Sequence, residues 1–310
     1  YVLVVVGMPL VGVAVFLHTW IWRPADPARR RVGWIAAAVL VLPALIGLWA
    51  SYVEPERLRV DRVTLEPGAA AADSADAALR IGVVADIQTD GFGDYERKAV
   101  AAMLAEEPDV ILVAGDITQA EWEDYLGIKA EGVEVLSGLD APYGIFSIQG
   151  NTDPGPLEFA SFSRDAEMEP LLDEVVEIEI RGRTLRIGGL AWPNNRRDAA
   201  AVFVQDFAAT SSPDTFDLLL AHSPDAVRNL EEAGSLDLVV SGHTHGGQIS
   251  IPFYGPIWNV TDLPRSVAGG GLHDVRGAPT YVSTGVGVQR GDAPEVRFLT
   301  RPSIAVLTVP

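Results

Sequence analysis

Short apolar runs that alternate with helix-like segments constrain this chain more than any other feature. The first runs cover residues 81–85, 110–114 and 143–148, and helical patterns at 95–107 and 122–136 lie between them. Continuous apolar runs are typical of strands buried on both faces, and helices between consecutive strands favour parallel pairing. The sequence therefore predicts an α/β protein with layered architecture.

The second half of this layered part differs in pattern. Residues 175–180 and 184–190 flank Arg181-Gly182-Arg183, which predicts a hairpin. Further strands are predicted at 58–65, 216–221, 236–240, 248–251, 281–283, 296–299 and 304–309, and helices at 197–210 and 224–233, the latter capped by Ser223. Helices between the early strands and hairpins among the later ones predict two sheets packed face to face, a β-sandwich flanked by helices.

Two long apolar runs, 1–22 and 32–53, precede this part. Each is long enough to cross a hydrocarbon core of about 30 Å as a helix, and aromatic residues near the run ends suit the headgroup level. A cleaved signal peptide is the competing interpretation. We expect a transmembrane helical hairpin over 1–53, a linker with a membrane-proximal strand over 54–79, and a separate layered domain over 80–310.

Basic residues suggest an orientation for the hairpin. Four arginines lie between the two runs, namely Arg23, Arg29, Arg30 and Arg31, and the positive-inside tendency would keep them cytoplasmic. The domain after Val53 would then be extracytoplasmic. Three arginines just past the second run, Arg57, Arg59 and Arg62, weaken this bias.

Composition narrows the chemistry. The chain has no cysteine, so thiolate metal sites and cysteine nucleophiles are excluded, and any metal must be held by Asp, Asn, Gln, Glu or His. The formal net charge is -19, concentrated after residue 62. Such an acidic domain is not expected to bind nucleic acid.

Residues with ligand-type side chains follow five of the predicted strands. They are Asp86, Gln88, Asp116, Asn151, His222, His243 and His245. Taken singly, each could be a turn residue, a helix cap or a core histidine. Because functional groups of α/β layers gather at the carboxyl ends of strands, their joint placement predicts a metal site at one sheet edge.

The order of these motifs resembles that of the calcineurin-like metallophosphoesterase superfamily. The matching segments are Asp86-Ile87-Gln88, Gly115-Asp116, Gly150-Asn151-Thr152-Asp153, His222 and Gly242-His243-Thr244-His245. With the apolar start, the chain resembles most the membrane-linked bacterial branch that includes phosphodiesterases and UDP-2,3-diacylglucosamine pyrophosphohydrolase-like proteins. The resemblance covers roughly residues 58–310 and implies the superfamily's four-layer sandwich fold.

The resemblance also implies a ligand set for two divalent ions. Asp86, Gln88, Asp116 and His245 would hold one ion, and Asp116 would bridge to a second ion held by Asn151, His222 and His243. Asp116, Asn151 and His222 would take part in catalysis, with a metal-bridging hydroxide as nucleophile. Mn, Fe, Zn, Ni and Mg are all compatible, and Mn is favoured.

Two positions depart from the superfamily pattern. Gln88 stands where a histidine is usual, which shifts the site toward harder ions such as Mn or Mg. Thr152 stands in place of the histidine that assists the leaving group, and threonine cannot act as a general acid near neutral pH. Losing a positioned acid typically costs 10²- to 10⁴-fold in rate.

Three functions remain open at this stage. The first is a membrane-anchored phosphohydrolase for a phosphodiester or pyrophosphate bond in a small phosphorylated or lipid-linked substrate. The second is a catalytically weak or inactive metal-binding sensor or scaffold, which Thr152 favours. The third is an α/β binding module without metal. Arginines that could clamp a phosphate are Arg196, Arg197, Arg265 and Arg290.

Overall fold

The computed structural model describes residues 7–66, 78–193, 198–230, 236–291 and 294–310. Its helices are α1 (Met8–Trp22), α2 (Pro27–Leu48), α3 (Asp94–Leu104), α4 (Trp122–Leu136), α5 (Pro156–Asp165), α6 (Asp198–Ala209) and α7 (Arg265–Ala268). Its strands are β1 (Arg59–Thr64), β2 (Leu79–Val84), β3 (Val110–Val113), β4 (Ile145–Ser147), β5 (Glu169–Pro170), β6 (Glu174–Ile180), β7 (Arg183–Leu190), β8 (Thr215–Ala221), β9 (Leu238–Ser241), β10 (Ser250–Ile251), β11 (Gly255–Pro256), β12 (Gly271–Val275), β13 (Ala278–Val282) and β14 (Ser303–Val309).

Two six-stranded sheets form the body of the protein, in the orders β1-β14-β2-β3-β4-β5 and β12-β13-β9-β8-β7-β6. Strands β2 to β5 are parallel in the first sheet, and β7, β8, β9 and β13 are parallel in the second. The predicted two-sheet sandwich is confirmed. The expectation of hairpins among the later strands is confirmed for β6–β7 and for β12–β13, which pair antiparallel, whereas β7, β8, β9 and β13 pair with one another in parallel.

Alternation along each strand explains the four layers. Leu112, Leu218 and Leu220 point into the core between the sheets. Their neighbours Ile111 and Leu219 face outward, the first toward the cluster that holds α3 and α5, the second toward the cluster that holds α6. Both faces of the central strands are buried, which is why these strands are apolar without interruption.

Two predicted elements differ from the structure. Residues 296–299 are not a strand, because Phe298 makes only an isolated bridge to Ile249. The segment after Ser223 is a short 3₁₀ helix, Pro224–Asn229, and residues 231–235 lie outside the described part. Ser223 does cap it, accepting from the Asp225 amide. Residues 67–77 of the predicted linker also lie outside the described residues.

Helices α1 and α2 pack against each other before the sandwich begins. Gly12 lies so close to Ala37 and Leu40 that a side chain at this position would collide with them. The rings of Phe16 and Trp34 pack edge to face, with 4.7 Å between the ring centres. The connector is shorter than predicted, because α2 already begins at Pro27.

By length and composition, one helix of the described part can span a membrane. It is Pro27–Val53, 27 residues long, with a mean hydropathy of 2.2 over an 18-residue stretch within it, and in it α2 continues as a π-helical turn from Trp49 to Val53. The described part of α1 has 15 residues and measures about 22 Å at 1.5 Å per residue, less than the core of a bilayer. The two-span hairpin therefore stays a prediction.

Candidate metal centre

The carboxyl ends of the parallel strands in both sheets meet at one edge of the sandwich. Asp86 and Asp116 follow β2 and β3 of the first sheet, and His222 and His243 follow β8 and β9 of the second. His222 Nε2 lies 3.3 Å from Asp116 Oδ2, and the His243 amide donates to Asp86 Oδ1 at 2.9 Å. The predicted side chains are thus brought together across the two sheets.

Asp116 lies at the middle of this cluster and is 1% exposed. Its Oδ1 accepts a hydrogen bond from the Thr152 amide at 2.8 Å. Its Oδ2 accepts from Gln88 Nε2 at 3.3 Å and faces His222. Asp116, His222 and His243 each offer one ligand atom, and these atoms lie within 4.8 Å of one another.

The orientation of His222 follows from one backbone contact. Its Nδ1 lies 2.8 Å from the Ala114 carbonyl oxygen, so Nδ1 carries the proton and the lone pair lies on Nε2. That Nε2 is 3.0 Å from Asn151 Oδ1 and 3.2 Å from His243 Nδ1. One ring nitrogen each of His222 and His243 and the side-chain oxygen of Asn151 therefore converge, as ligand atoms around a cation do.

Asp86, Gln88 and His245 form the other half of the cluster. Asp86 is fully buried, and its Oδ1 lies 3.5 Å from His245 Nε2. Gln88 Nε2 donates to Gln289 Oε1 at 3.0 Å as well as to Asp116 Oδ2. Gln88 Oε1 and His245 Nε2 are buried and have no hydrogen-bond partner within the described residues.

Those two bare atoms fit ligands of a cation. A buried polar atom without a partner costs about 1–3 kcal/mol, and here two such atoms lie beside two buried carboxylates. Oxygen and imidazole donors are a set that first-row divalent ions accept. The residues present therefore fit a metal centre.

Backbone strain is concentrated at the same residues. Five of them adopt left-handed φ angles, which side chains other than glycine rarely take: Asp86 (49°), Gln88 (46°), Asp116 (53°), His243 (70°) and His245 (49°). Such conformations cost of order 1–3 kcal/mol each and persist where surrounding contacts impose them.

Two neighbouring glycines make the close approach possible. A Cβ atom at Gly150 would collide with Asp116 Oδ1, and one at Gly242 would collide with Asp86 Oδ2. Glycine at these two positions therefore lets the carboxylates of Asp116 and Asp86 come close to the backbone.

Burial and mutual charge shift the pKa values of the cluster. Burial raises the pKa of Asp86 to about 7 against the opposing charge of His222. Burial also raises the pKa of Asp116, but His222 and the Thr152 amide lower it by more than burial raises it, so this pKa falls to about 2. Burial lowers the pKa of His222, and Asp116 and Asp86 outweigh this and raise it to about 9. Without a cation, His222 and Asp116 form an ion pair, and a bound cation would take the place of the proton.

Asp153 organises the loop around Asp116. Its Oδ2 accepts from the amides of Asp116 and Gly150, both at 2.8 Å, and its Oδ1 accepts from Ile117 at 2.7 Å and from Thr118 at 3.2 Å. Sequence reasoning assigned Asp153 no role. An aspartate at the end of a tight turn is the signal, because such side chains often bind nearby backbone amides.

Two further residues at the centre were missed. Trp192 lies with its ring 5.6 Å from both the His222 and His243 rings. It follows β7, which the sequence predicts only as one strand of a hairpin. The Gln289 side chain accepts from Gln88 Nε2, and the Gln289 backbone amide donates to Gln248 Oε1 at 2.7 Å.

The four arginines proposed as phosphate clamps are distributed differently. Arg290 reaches the centre, where its guanidinium donates to the Gln88 carbonyl and lies 3.3 Å from Asp90. Arg265 donates to the carbonyl oxygens of Pro256 and Ile257. Arg196 and Arg197 lie outside the described residues.

Two pockets meet at His243 and Val260. The first has a volume of about 300 Å³ and is lined by His245, Gln248 and the apolar side chains of Trp258 and Pro294. The second, of about 420 Å³, is polar and is lined by Trp192, Ser223, Asp225, Arg228, Asn229 and Asp262. The metal centre therefore has an apolar side and a polar side.

Comparison with known proteins identifies the family. The model of the calcineurin-like phosphoesterase family matches residues 79–247, a stretch that contains all seven predicted ligands. The chain belongs to the calcineurin-like phosphoesterase family. It is a metal-dependent phosphoesterase, and this family generally binds two divalent metals.

Similar proteins of this family are found in bacteria. The chain is 28% identical to the metallophosphoesterase YkuE of Bacillus subtilis over 297 residues, which cover 89% of this chain and 94% of YkuE. It is 27% identical to the phosphodiesterase YaeI of Escherichia coli over 289 residues, covering 90% of this chain and 98% of YaeI. Among solved structures, NAD nucleotidase of Haemophilus influenzae matches with a TM-score of 0.46 at 14% identity, covering 66% of this chain and 44% of that one.

Proposed function

We propose that this phosphoesterase is a membrane-anchored phosphohydrolase that uses two divalent ions to cleave a phosphodiester or pyrophosphate bond. The anchor would be residues 1–53, joined by a linker over 54–79 to a catalytic domain over 80–310. The observation that carries the proposal is the pair of unpartnered buried atoms, Gln88 Oε1 and His245 Nε2, on either side of buried carboxylates.

The ligand roles follow the two halves of the cluster. Asp86, Gln88, Asp116 and His245 would hold one ion, and Asn151, His222 and His243 would hold the other, with Asp116 shared. When bound, two such ions supply a deprotonated water as nucleophile near neutral pH and stabilise charge on the phosphoryl oxygens. Mn is the favoured ion, because Gln88 contributes a hard oxygen donor.

The side chains around the ligands hold them in place. The Ala114 carbonyl keeps a His222 proton on Nδ1, and Gln289 accepts from the Gln88 side-chain amide and so fixes its position. Trp192 covers the two imidazoles of the second half and limits the access of bulk water to them. These contacts preorganise the donors, so little reorganisation is needed when substrate binds.

Thr152 narrows the substrate chemistry. Its hydroxyl donates to the Thr118 carbonyl at 2.7 Å, and its side chain offers no proton of suitable acidity. A substrate whose leaving group is already a weak base, such as the phosphate released from a pyrophosphate, needs little protonation. We therefore favour pyrophosphates and activated diesters over simple alkyl esters.

A catalytically silent metal sensor is the second candidate, and Thr152 is the observation that favours it. The two candidates differ in turnover. Purified full-length protein loaded with Mn is expected to hydrolyse bis-4-nitrophenyl phosphate or a diphosphate ester, and Asp116→Asn is expected to lose this activity. Failure of the wild-type protein on a panel of both substrate types would exclude the hydrolase.

A further inference from the structure

An exposed apolar hairpin projects beside the metal centre. Strands β10 and β11 pair through Ser250 and Ile251, and residues 250–258 are here called the aromatic hairpin. Five of its large apolar side chains are exposed: Ile251, Phe253, Tyr254, Ile257 and Trp258. Phe253 at the tip is completely exposed. A group of this kind on one short hairpin marks an interaction surface rather than ordinary surface scatter.

The hairpin is held in place from below. Arg265 Nη1 donates to the carbonyl oxygens of Pro256 at 2.6 Å and of Ile257 at 3.0 Å. The same guanidinium lies 4.8 Å from the centre of the Tyr254 ring. The apolar side chains are thus presented by a braced element, which lowers the entropy lost when they contact a partner.

The base of the hairpin lies next to the end of the apolar helix. The Arg297 amide donates to the Ala50 carbonyl, in the last turn of that helix, at 2.9 Å. The following residue, Phe298, bridges to Ile249 and accepts from the Ser250 amide at 2.9 Å. Two consecutive residues, Arg297 and Phe298, therefore make the helix contact and the contact that begins the hairpin.

Aromatic and basic residues recur at this level of the molecule. Trp49 and Tyr52 are exposed at the end of the helix, and Arg57 lies over the Trp49 ring at 5.4 Å, as Arg265 lies over Tyr254. Tryptophan and tyrosine favour the headgroup region of a bilayer. The chain as a whole is acidic, with a net charge of -19. At this level, however, two exposed aromatic rings each have an arginine guanidinium over them, a combination that suits anionic headgroups.

The hairpin also forms part of the rim of the apolar pocket. Gly247 and Gln248, just before it, and Trp258, within it, line the pocket of about 300 Å³ together with His243 and His245. A surface that covers the hairpin would therefore cover the approach to the metal centre.

We infer that the aromatic hairpin inserts into the surface of the lipid bilayer and seats the apolar pocket on it. The pocket would then receive the apolar part of an amphiphilic phosphoester directly from the membrane. This inference rests on the proposed membrane anchor. A second copy of the chain is the other occupant to test, and continuity with the end of the apolar helix favours the bilayer.

The absence of cysteine makes a direct test possible. Single cysteines are placed at Phe253, at Leu42 within the apolar helix, and at Ser211, which is exposed at the opposite edge of the sheet, before β8. Each full-length variant is labelled with a polarity-sensitive fluorophore and reconstituted in vesicles of phosphatidylcholine and phosphatidylglycerol. Quenching by spin-labelled lipid is compared with quenching by iodide in the water.

The labels at 42 and 253 are expected to be quenched by lipid and the label at 211 by iodide. If 42 is quenched by lipid and 253 responds like 211, the hairpin inference is overturned and the anchor stands. If neither 42 nor 253 is quenched by lipid, both the anchor and the inference fail. Shielding of 253 from both quenchers would indicate a protein partner and would also overturn the inference.

Activity provides the second arm. Phe253→Asn removes the apolar ring but suits the left-handed φ of 67° at this position. We expect roughly a tenfold rise in KM for a phosphoester embedded in vesicles, from the lost burial of one aromatic side chain, and no change with bis-4-nitrophenyl phosphate. An equal effect on both substrates would contradict the inference. Loss of wild-type activity toward the soluble substrate would instead count against the proposed hydrolase.

Discussion

Asp116 is the residue on which the two halves of the metal centre depend. One of its carboxylate oxygens faces His222 and Gln88, and the other is held by the Thr152 amide. Its left-handed backbone is fixed by Asp153, which binds the amide nitrogen of Asp116 itself. A carboxylate placed in this way could serve two cations at once, and its negative charge would offset part of the repulsion between them.

Removal of this carboxylate should therefore release both metals. We expect Asp116→Ala to lower the metal content from two ions per chain to none, because each ion would lose its shared ligand. Elemental analysis of purified full-length protein measures this directly. Asp214→Ala, at an exposed turn before β8, is the matched control and should retain both ions. One ion retained in Asp116→Ala would contradict the shared ligand.

Thr152 sets which leaving groups the centre can expel. We expect Thr152→His to raise kcat for a diester with an alkyl leaving group by up to about 10²-fold, since a positioned acid typically contributes 10²–10⁴-fold. The rate with a nitrophenyl leaving group should change little. The measurement is kcat across a series of leaving groups of rising pKa.

Thr152→Ser is the matched control for that series, because it retains a hydroxyl for the Thr118 carbonyl. It should behave like the wild type. A wild type inactive on every substrate, together with an active Thr152→His, would support the silent sensor instead.

At the scale of elements, a buried ion pair ties the second sheet to its covering helix. Arg186 of β7 donates to Asp217 of β8 at 2.7 Å. The same guanidinium donates to the carbonyl and hydroxyl oxygens of Thr210, just past the end of α6. Asp217 is fully buried, so its charge depends on this partner.

Loss of the arginine should destabilise the protein strongly. We expect Arg186→Met to lower the free energy of unfolding by about 3–5 kcal/mol, because it leaves Asp217 buried and unpaired. The double variant with Asp217→Leu should recover much of that loss. Denaturant unfolding of the full chain in detergent measures both, and Arg164→Met, exposed near the end of α5, is the control. No recovery in the double variant would show that packing, not the unpaired charge, causes the loss.

At the scale of the whole molecule, the end of the apolar helix is joined to the catalytic sandwich. The Arg297 amide binds the Ala50 carbonyl, and the buried Arg297 guanidinium donates to the carbonyl oxygens of Thr284 at 2.8 Å and, through Nε, of Gly287 at 2.8 Å. A Cβ atom at Gly287 would collide with the Ile87 carbonyl, between two proposed ligands. Arg297 thus links the helix end to Gly287, which packs against the backbone between two proposed ligands.

The proposed orientation of the molecule can be tested with the same absence of cysteine. We expect Ser211→Cys to react with a membrane-impermeant thiol reagent in intact cells, because the catalytic domain would be extracytoplasmic. Ala28→Cys, in the arginine-rich start of α2, should react only after lysis. The reverse pattern would place the domain in the cytoplasm, as the three arginines after Val53 would favour.

Local pattern was enough to predict the two-sheet sandwich and the side chains that follow its strands. A strand buried on both faces must be apolar throughout, and a residue just past its carboxyl end must lie at the sheet edge. For this reason Asp86, Asp116, His222 and His243 could be named as neighbours, and the structure brings them together. Their roles as metal ligands stay predictions.

Pairing between distant segments was decided only by the tertiary structure. The parallel alignment of β7, β8, β9 and β13 and the meeting of Gln88 with Gln289, 201 residues apart, leave no periodic signal in either segment. The same is true of Trp192 beside the imidazoles and of the aromatic hairpin beside the apolar helix. Each depends on how the whole chain closes on itself, because such contacts form only when both sheets and the helix end are already in place.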